Sequence, residues 1–453
     1  MRSKSHHLSI PKEILRKRAQ SDGIAFVVEN FGGVKRTLDV PWKKNLHHFG
    51  QHFHPPVRSM AGILTDSELP LCPVTFVPPE WSRLSYQSQQ ELQKLLSWPS
   101  LSRWDFNIFE LHKLSNGVPL LLLGWAILGS PQSQQAMANS CGEDVELVRE
   151  GYNFRDLYNI RQDTLCNYLR AVEGDYRSRN PYHNSTHASD VVQTLHVFIQ
   201  RSGKEFSKNI ELFSVLFAAV GHDVGHPGLN NAFQEHAGTE LALRYNDNSV
   251  LENMHSSKTF MWLFGLGTAH DIDMNAKELM KDEVNKMKNM NILEGMTNEQ
   301  ISDVRELAID AILQTDMSKH FTAIEDMKML ISEGVDLETK REHSGEILSF
   351  MLHLADISNP AKPAPMFIDW TDRILEEYFI QGDKEIEKGL PISPLCDRSK
   401  TERPQSQIGF IQYVIIPAYE VLGNFIPFVT SHVLPQIEQN LRFWQEEDSK
   451  IKH

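Results

Sequence analysis

SDVRELAIDAILQTDM, residues 302–317, puts Val304, Leu307, Ala308, Ala311, Ile312 and Thr315 on one face of a helix, with charged residues between them. A second run, GEILSFMLHLADI (345–357), does the same with Ile347, Met351 and Leu354, and ends by placing Asp356 near that apolar face. From WDFNIFEL (104–111) onward the helical period prevails and strand-like alternation is sparse. The expected fold class is therefore all-α, a compact multi-helix bundle. Residues 1–100 read differently. Gly32-Gly33, Pro55-Pro56, Pro70, Pro73 and Pro78-Pro79 punctuate short apolar pieces, and only VPPEWSRLSYQSQQELQKLL (77–96) reads as the start of a helix. We expect a basic, irregular N-terminal extension over 1–100 with no recognised domain, followed by one large helical domain over 101–450.

Composition narrows the function classes. The chain of 453 residues is 41% hydrophobic and 23% charged, which is ordinary for a soluble globular protein. Its longest apolar stretch, Val118–Leu128, is too short for a membrane span and contains Pro119 and Gly124. The N-terminus has no apolar core of the kind a signal peptide needs. Cys72, Cys141, Cys166 and Cys396 lie far apart, with no CxxC pair, so free thiols in a reducing compartment are expected and the cytoplasm is the expected location. Net charge is −14, but residues 1–60 carry eleven Lys/Arg against four Asp/Glu, a local +7 that leaves −21 for the remainder. An acidic body argues against a nucleic-acid polymer as substrate. A small anion remains compatible, because metal ions can meet its charge locally.

Two segments hold most of the chemistry. YHNSTHASDV (182–191) and HDVGHPGLNNAF (222–233) supply four histidines and two aspartates, and Asp356 adds a distant carboxylate. Imidazole and carboxylate are the ligand types for zinc and other first-row divalent ions, and ligands drawn from distant segments let folding set the coordination geometry.

These segments resemble the class I cyclic-nucleotide phosphodiesterases, a branch of the HD-type metal hydrolases. YNDNSVLEN (245–253), LQTDMSKHF (313–321), LADISNP (354–360), ISPLCD (392–397) and QSQIGF (405–410) look like further blocks of that family, in its order and spacing, so that the resemblance runs from Trp104 to Trp444. It implies a dinuclear metal site at the base of a deep pocket. His187, His222, Asp223 and Asp356 would hold a first ion, most plausibly Zn2+. Asp223 would bridge to a second, Mg2+ or Mn2+, whose waters His226, Glu252 and Thr315 would hold, with Asp316 beside them. A metal-activated water would attack the phosphorus of a cyclic nucleotide, and His183 would protonate the leaving oxygen as general acid. Four residues before His187, His183 is expected one helical turn away from it. Gln407 would bond the base, Phe410 and Ile374 would clamp it, and Tyr182 and Asn359 would complete the substrate-binding set. The implied activity is hydrolysis of a 3′,5′-cyclic nucleotide to the 5′-monophosphate, with cyclic AMP favoured because the metal aspartate is followed by SNP, and cyclic GMP possible.

Two positions depart from the family pattern. Gly225 stands where many relatives have an acidic residue. Phe367 stands where cyclic-AMP-selective relatives often have a tyrosine whose hydroxyl orients the glutamine, and without it Gln407 is expected to rotate more freely. His353 and Asp190, next to ligand-bearing blocks, read equally well as packing residues. His6, His7, His47, His48, His52, His54 and His432 read as ordinary surface or core histidines. LSIPKEILRKRAQ (8–20) could form a basic amphipathic helix for a regulatory partner or an anionic membrane, against the plainer reading of a solvated tail. The alternatives are another HD-type nucleotide phosphohydrolase, which the base-pocket blocks disfavour, and a catalytically silent cyclic-nucleotide-binding scaffold, which the filled ligand positions disfavour. No oligomeric state follows from the sequence.

Overall fold

The computed structural model describes residues 76–142, 148–267 and 289–452. Among these residues every regular element is helical. The basic segment 8–20, the six histidines between His6 and His54, and Cys72 lie outside the described residues.

PLLLLGWAIL forms α1 (Pro119–Leu128), opened by a proline whose missing N–H costs nothing at that position and buried at every residue. Gly124 lets it touch α2 (Gln162–Asp175), because a methyl there would stand 2.7 Å from Leu169 Cδ2. The buried carboxylate of Glu173 on α2 accepts the N–H of Leu121 at 2.8 Å, satisfying an amide of the first turn of α1. Next come α3 (Ser185–Phe198), α4 (Asn209–Gly221), α5 (Val250–Leu263), α6 (Asn298–Leu313), α7 (Ser344–Asp356), α8 (Met366–Lys388), α9 (Arg403–Phe410) and α10 (Leu434–Lys452). The central packing joins α3, α4, α6 and α7, with α5 against α4 and α6, and α9 against α10.

Both amphipathic stretches are helices. Val304, Ala308, Ala311 and Ile312 are buried on α6, which a capping box of Thr297 and Gln300 begins. The helix stops at Leu313, short of the expected 317. Asp316 turns its carboxylate to the Ser318 N–H at 2.8 Å and starts a separate turn, so Thr315 and Asp316 sit on the exit loop. Of 77–96, Pro79–Ser82 and Tyr86–Leu95 are helical, divided where Ser85 caps the second piece. Trp81, Leu92, Leu96 and Leu101 join the common hydrophobic core, and Glu80 forms a buried two-pronged pair with Arg170 of α2 at 2.6 and 2.8 Å. Cys141, Cys166 and Cys396 are buried and in no disulfide among the described residues. No single described helix is long and apolar enough to cross a membrane.

Candidate functional site

The turn after α4 is the centre of the site. His222 closes α4 and its Nδ1–H donates to the Ala219 carbonyl at 2.9 Å, which turns Nε2 toward the carboxylates of the site. That nitrogen is buried and has no hydrogen-bond partner, yet it lies 3.4 Å from both Asp223 Oδ2 and Asp356 Oδ1. His187, from the first turn of α3, brings Nε2 to 2.9 Å from Asp356 Oδ1 and 3.5 Å from Asp223 Oδ2. A buried nitrogen set between two carboxylates calls for positive charge there, a proton on the imidazole or a cation in its place. These four ligand atoms fall within 4.8 Å of one another, so the donor set fits a metal ion. Despite burial, the histidines hold Asp223 and Asp356 well below the usual carboxylate range.

Asp223 faces two ways. Its Oδ1 lies 3.5 Å from Nε2 of His255 on α5, whose own Nδ1–H donates to the Val224 carbonyl at 2.9 Å. With His226 these atoms make a second group able to hold a cation, sharing Asp223 with the first. Beyond it lie Glu252, Thr315 and Asp316. Asn231 donates to both oxygens of Glu252 at 3.2 and 3.0 Å, while burial and the neighbouring Asp316 push that carboxyl up to about 8.

His183 reaches the same cavity by a route other than the expected one. It precedes α3 and is not part of it, because Asn184 is the N-cap and turns its side chain to the N–H groups of Thr186 and His187. The ring is aimed from α8: Glu377 Oε1 accepts from His183 Nδ1–H, and Oε2 accepts the backbone N–H of Tyr182 and of His183, each at 3.0 Å. Burial opposes the charge on His183, but Glu377 outweighs it and holds the imidazole up to about 9. His226 stacks on His183 with centroids 4.0 Å apart. Burial and that neighbouring cation push His226 well down, and its Nδ1 accepts the Gly228 N–H at 3.0 Å. One imidazolium and one neutral imidazole thus lie face to face.

A cavity of about 800 Å³ opens above these groups. Tyr182, His183, Asp223, His226, Glu252, Thr315, Asp356, Asn359, Ile374, Gln407 and Phe410 all line it; His187 and His222 support it from behind, fully buried. Ile374 on α8 and Gln407 and Phe410 on α9 form the wall away from the metal ligands. Tyr182 donates its hydroxyl to Asn359 Oδ1, and Asn359 Nδ2 lies 3.4 Å from Asp190. Asp190 is itself paired with the fully buried Lys362 at 2.9 Å, so its carboxylate settles which end of the Asn359 amide faces it. Phe367 is buried against Phe443 and Trp444. Gln407 Oε1 lies 3.3 Å from the Thr371 hydroxyl, one turn along α8 from residue 367. His353 bonds to His320 at 2.8 Å, and His432 stacks on Phe428.

Sequence reasoning missed Glu377, His255 and Thr371. Glu377 had one available signal: it follows Ile374 by three, so both share a face of α8. His255 offered the same spacing from Glu252.

A model of the 3′,5′-cyclic nucleotide phosphodiesterase family matches residues 182–437. The chain is 32% identical over 400 residues to the 3′,5′-cyclic-AMP phosphodiesterase 4C of Rattus norvegicus, covering 86% of this chain and 66% of that protein. It is 36% identical over 352 residues to a probable 3′,5′-cyclic-AMP phosphodiesterase, pde-4, of Caenorhabditis elegans, covering 76% and 46%. It therefore spans between about half and two thirds of the length of these curated relatives. Among solved structures, the phosphodiesterase domain of the rhodopsin phosphodiesterase fusion of Salpingoeca rosetta superposes with a TM-score of 0.63 at 26% identity, covering 80% of this chain and 99% of that one.

Proposed function

The chain belongs to the 3′,5′-cyclic nucleotide phosphodiesterase family, and from that premise we propose that it hydrolyses cyclic AMP, and less readily cyclic GMP, to the 5′-monophosphate. The observation that carries this reading is the buried Nε2 of His222 facing two carboxylates at the floor of a nucleotide-sized cavity. His187, His222, Asp223 and Asp356, two nitrogens and two oxygens, would hold Zn2+. Asp223 would share a second ion, Mg2+ or Mn2+, with His226, Glu252 and Thr315 holding its waters. Such ions, when bound, lower the pKa of water from about 16 to about 7 and offset phosphate charge.

The chain's own residues do the rest. Glu377 keeps Nδ1 of His183 protonated, so Nε2–H is the proton available to the departing O3′. His226 stays neutral and, with Nδ1 accepting, presents Nε2 as a donor. Gln407 bonds the base edge while Phe410 and Ile374 close on its two faces. The Thr371 hydroxyl divides its one proton between the Phe367 carbonyl at 2.9 Å and Gln407 Oε1 at 3.3 Å, so it holds the Gln407 amide in one sense only weakly, and cyclic GMP is tolerated. Cysteines spaced without a CxxC pair suit a cytoplasmic enzyme, and the basic extension is a candidate contact for a regulator or anionic membrane.

The test is release of 5′-AMP and 5′-GMP by the metal-loaded chain. Cyclic AMP is expected to give the higher kcat/KM. A protein that binds its ions yet opens neither cyclic nucleotide is not this enzyme, and turnover of a nucleoside triphosphate in their place would favour another phosphohydrolase.

A further inference from the structure

The turn bearing Asp223 and His226 is pressed from outside by a charged pair that the chemistry above does not use. Gly225 has φ +78°, and a methyl there would stand 2.7 Å from Cδ and 2.8 Å from Cε of Lys258. The stem of Lys258, which projects from α5, therefore lies flat against the turn. Its ammonium reaches both oxygens of Asp175, the last residue of α2, at 3.0 and 2.9 Å. Asp175 is buried at 2% exposure and also accepts the Trp262 indole N–H at 2.7 Å.

Leaving a buried carboxylate without its cation is costly, so Lys258 is not free to swing into solvent. A pinned ammonium keeps the stem on the turn. The turn needs this hold, because at residue 225 it has no side chain of its own. Asp175 Oδ1 also lies 3.3 Å from the position a methyl on residue 225 would take. We propose that Lys258, pinned by Asp175, is a positioning residue for the metal-binding turn 222–226.

The proposal rests on the reading of Asp223 as a metal ligand, and its test reads metal affinity without substrate, so a failure of the phosphodiesterase reading leaves it standing. The dissociation constants of Zn2+ and Mn2+ are measured on the full chain by competition with a chromophoric chelator. Lys258→Ala and Asp175→Asn are each expected to weaken binding by about 10–100-fold, the usual effect of losing a group that orients a ligand. Turnover should recover at excess metal with KM for cyclic AMP unchanged. If Lys258→Ala does not fold, Asp175→Asn with Lys258→Met keeps the volume and leaves no buried charge alone, and weakened binding is still expected because the stem is no longer pinned. Unchanged metal affinity in whichever of these folds overturns the proposal and makes the pair a structural contact only.

Discussion

At the scale of single residues, the site depends on how imidazoles are held. His183, the proposed acid, would serve only while protonated, and its proton is secured by the Glu377 carboxylate from α8. Because its pKa is raised to about 9 from an ordinary 6.5, the protonated form persists through neutrality and is lost as pH rises past that value. The kcat/KM profile is therefore expected to fall on its basic side near pH 9. Glu377→Gln removes the charge that raises His183, so this limb should move to lower pH; an unmoved limb would show that another group sets it. His183→Ala should lower kcat by about 10²–10⁴-fold with metal content intact. Loss of bound metal in that variant would make His183 a ligand instead. Its place beside His187 could be read from spacing, but the reason was different: Asn184 starts α3 between them, and Glu377 aims the ring.

At the scale of elements, the crossing of α4 and α5 sets the position of His222 and Asp223, two of the candidate metal ligands. A methyl on Gly221 would stand 2.1 Å from Thr259 Oγ1, and that hydroxyl donates to the Gly221 carbonyl at 3.0 Å. Gly221→Ala should cost about 1–3 kcal/mol in thermal or denaturant unfolding and reduce metal occupancy, since the next two residues are His222 and Asp223. Thr259→Ala in the same chain removes the clash, and recovery of occupancy there would tie the loss to the crossing. On α9, Gln407→Ala takes a hydrogen-bonding amide out of the cavity wall and should raise KM for both cyclic nucleotides, with little change in kcat. The two long amphipathic helices were legible as elements because their pattern is local. Their ends were less so, and α6 ends early because the Asp316 side chain competes for the backbone.

At the scale of the whole molecule, the described residues from Phe76 onward share one core with the site. Removing residues 1–75 is expected to leave metal content and basal turnover intact, because Glu80 and Trp81 remain. Removing residues 1–101 takes Glu80 from Arg170 along with Trp81, Leu92 and Leu96. Breaking the buried pair alone costs about 3–5 kcal/mol, so circular dichroism melting should show a severely destabilised or unfolded chain. A stable product would mean those helices are dispensable. By itself, the sequence determined the helical class through periodicity, a property of near neighbours along the chain, and through its resemblance to a family it offered His187, His222, Asp223 and Asp356 as candidate ligands and Ile374, Gln407 and Phe410 as candidate base-pocket residues. Only the tertiary structure decided which atoms meet. Glu377 lies 194 positions from His183, and Asp175 reaches the turn at Gly225 from a different helix. Such pairings follow from how helices cross, and so do the direction in which His222 Nε2 points and the protonated state of His183. A crossing is the joint result of packing along the whole chain, and no short stretch of it encodes that result alone.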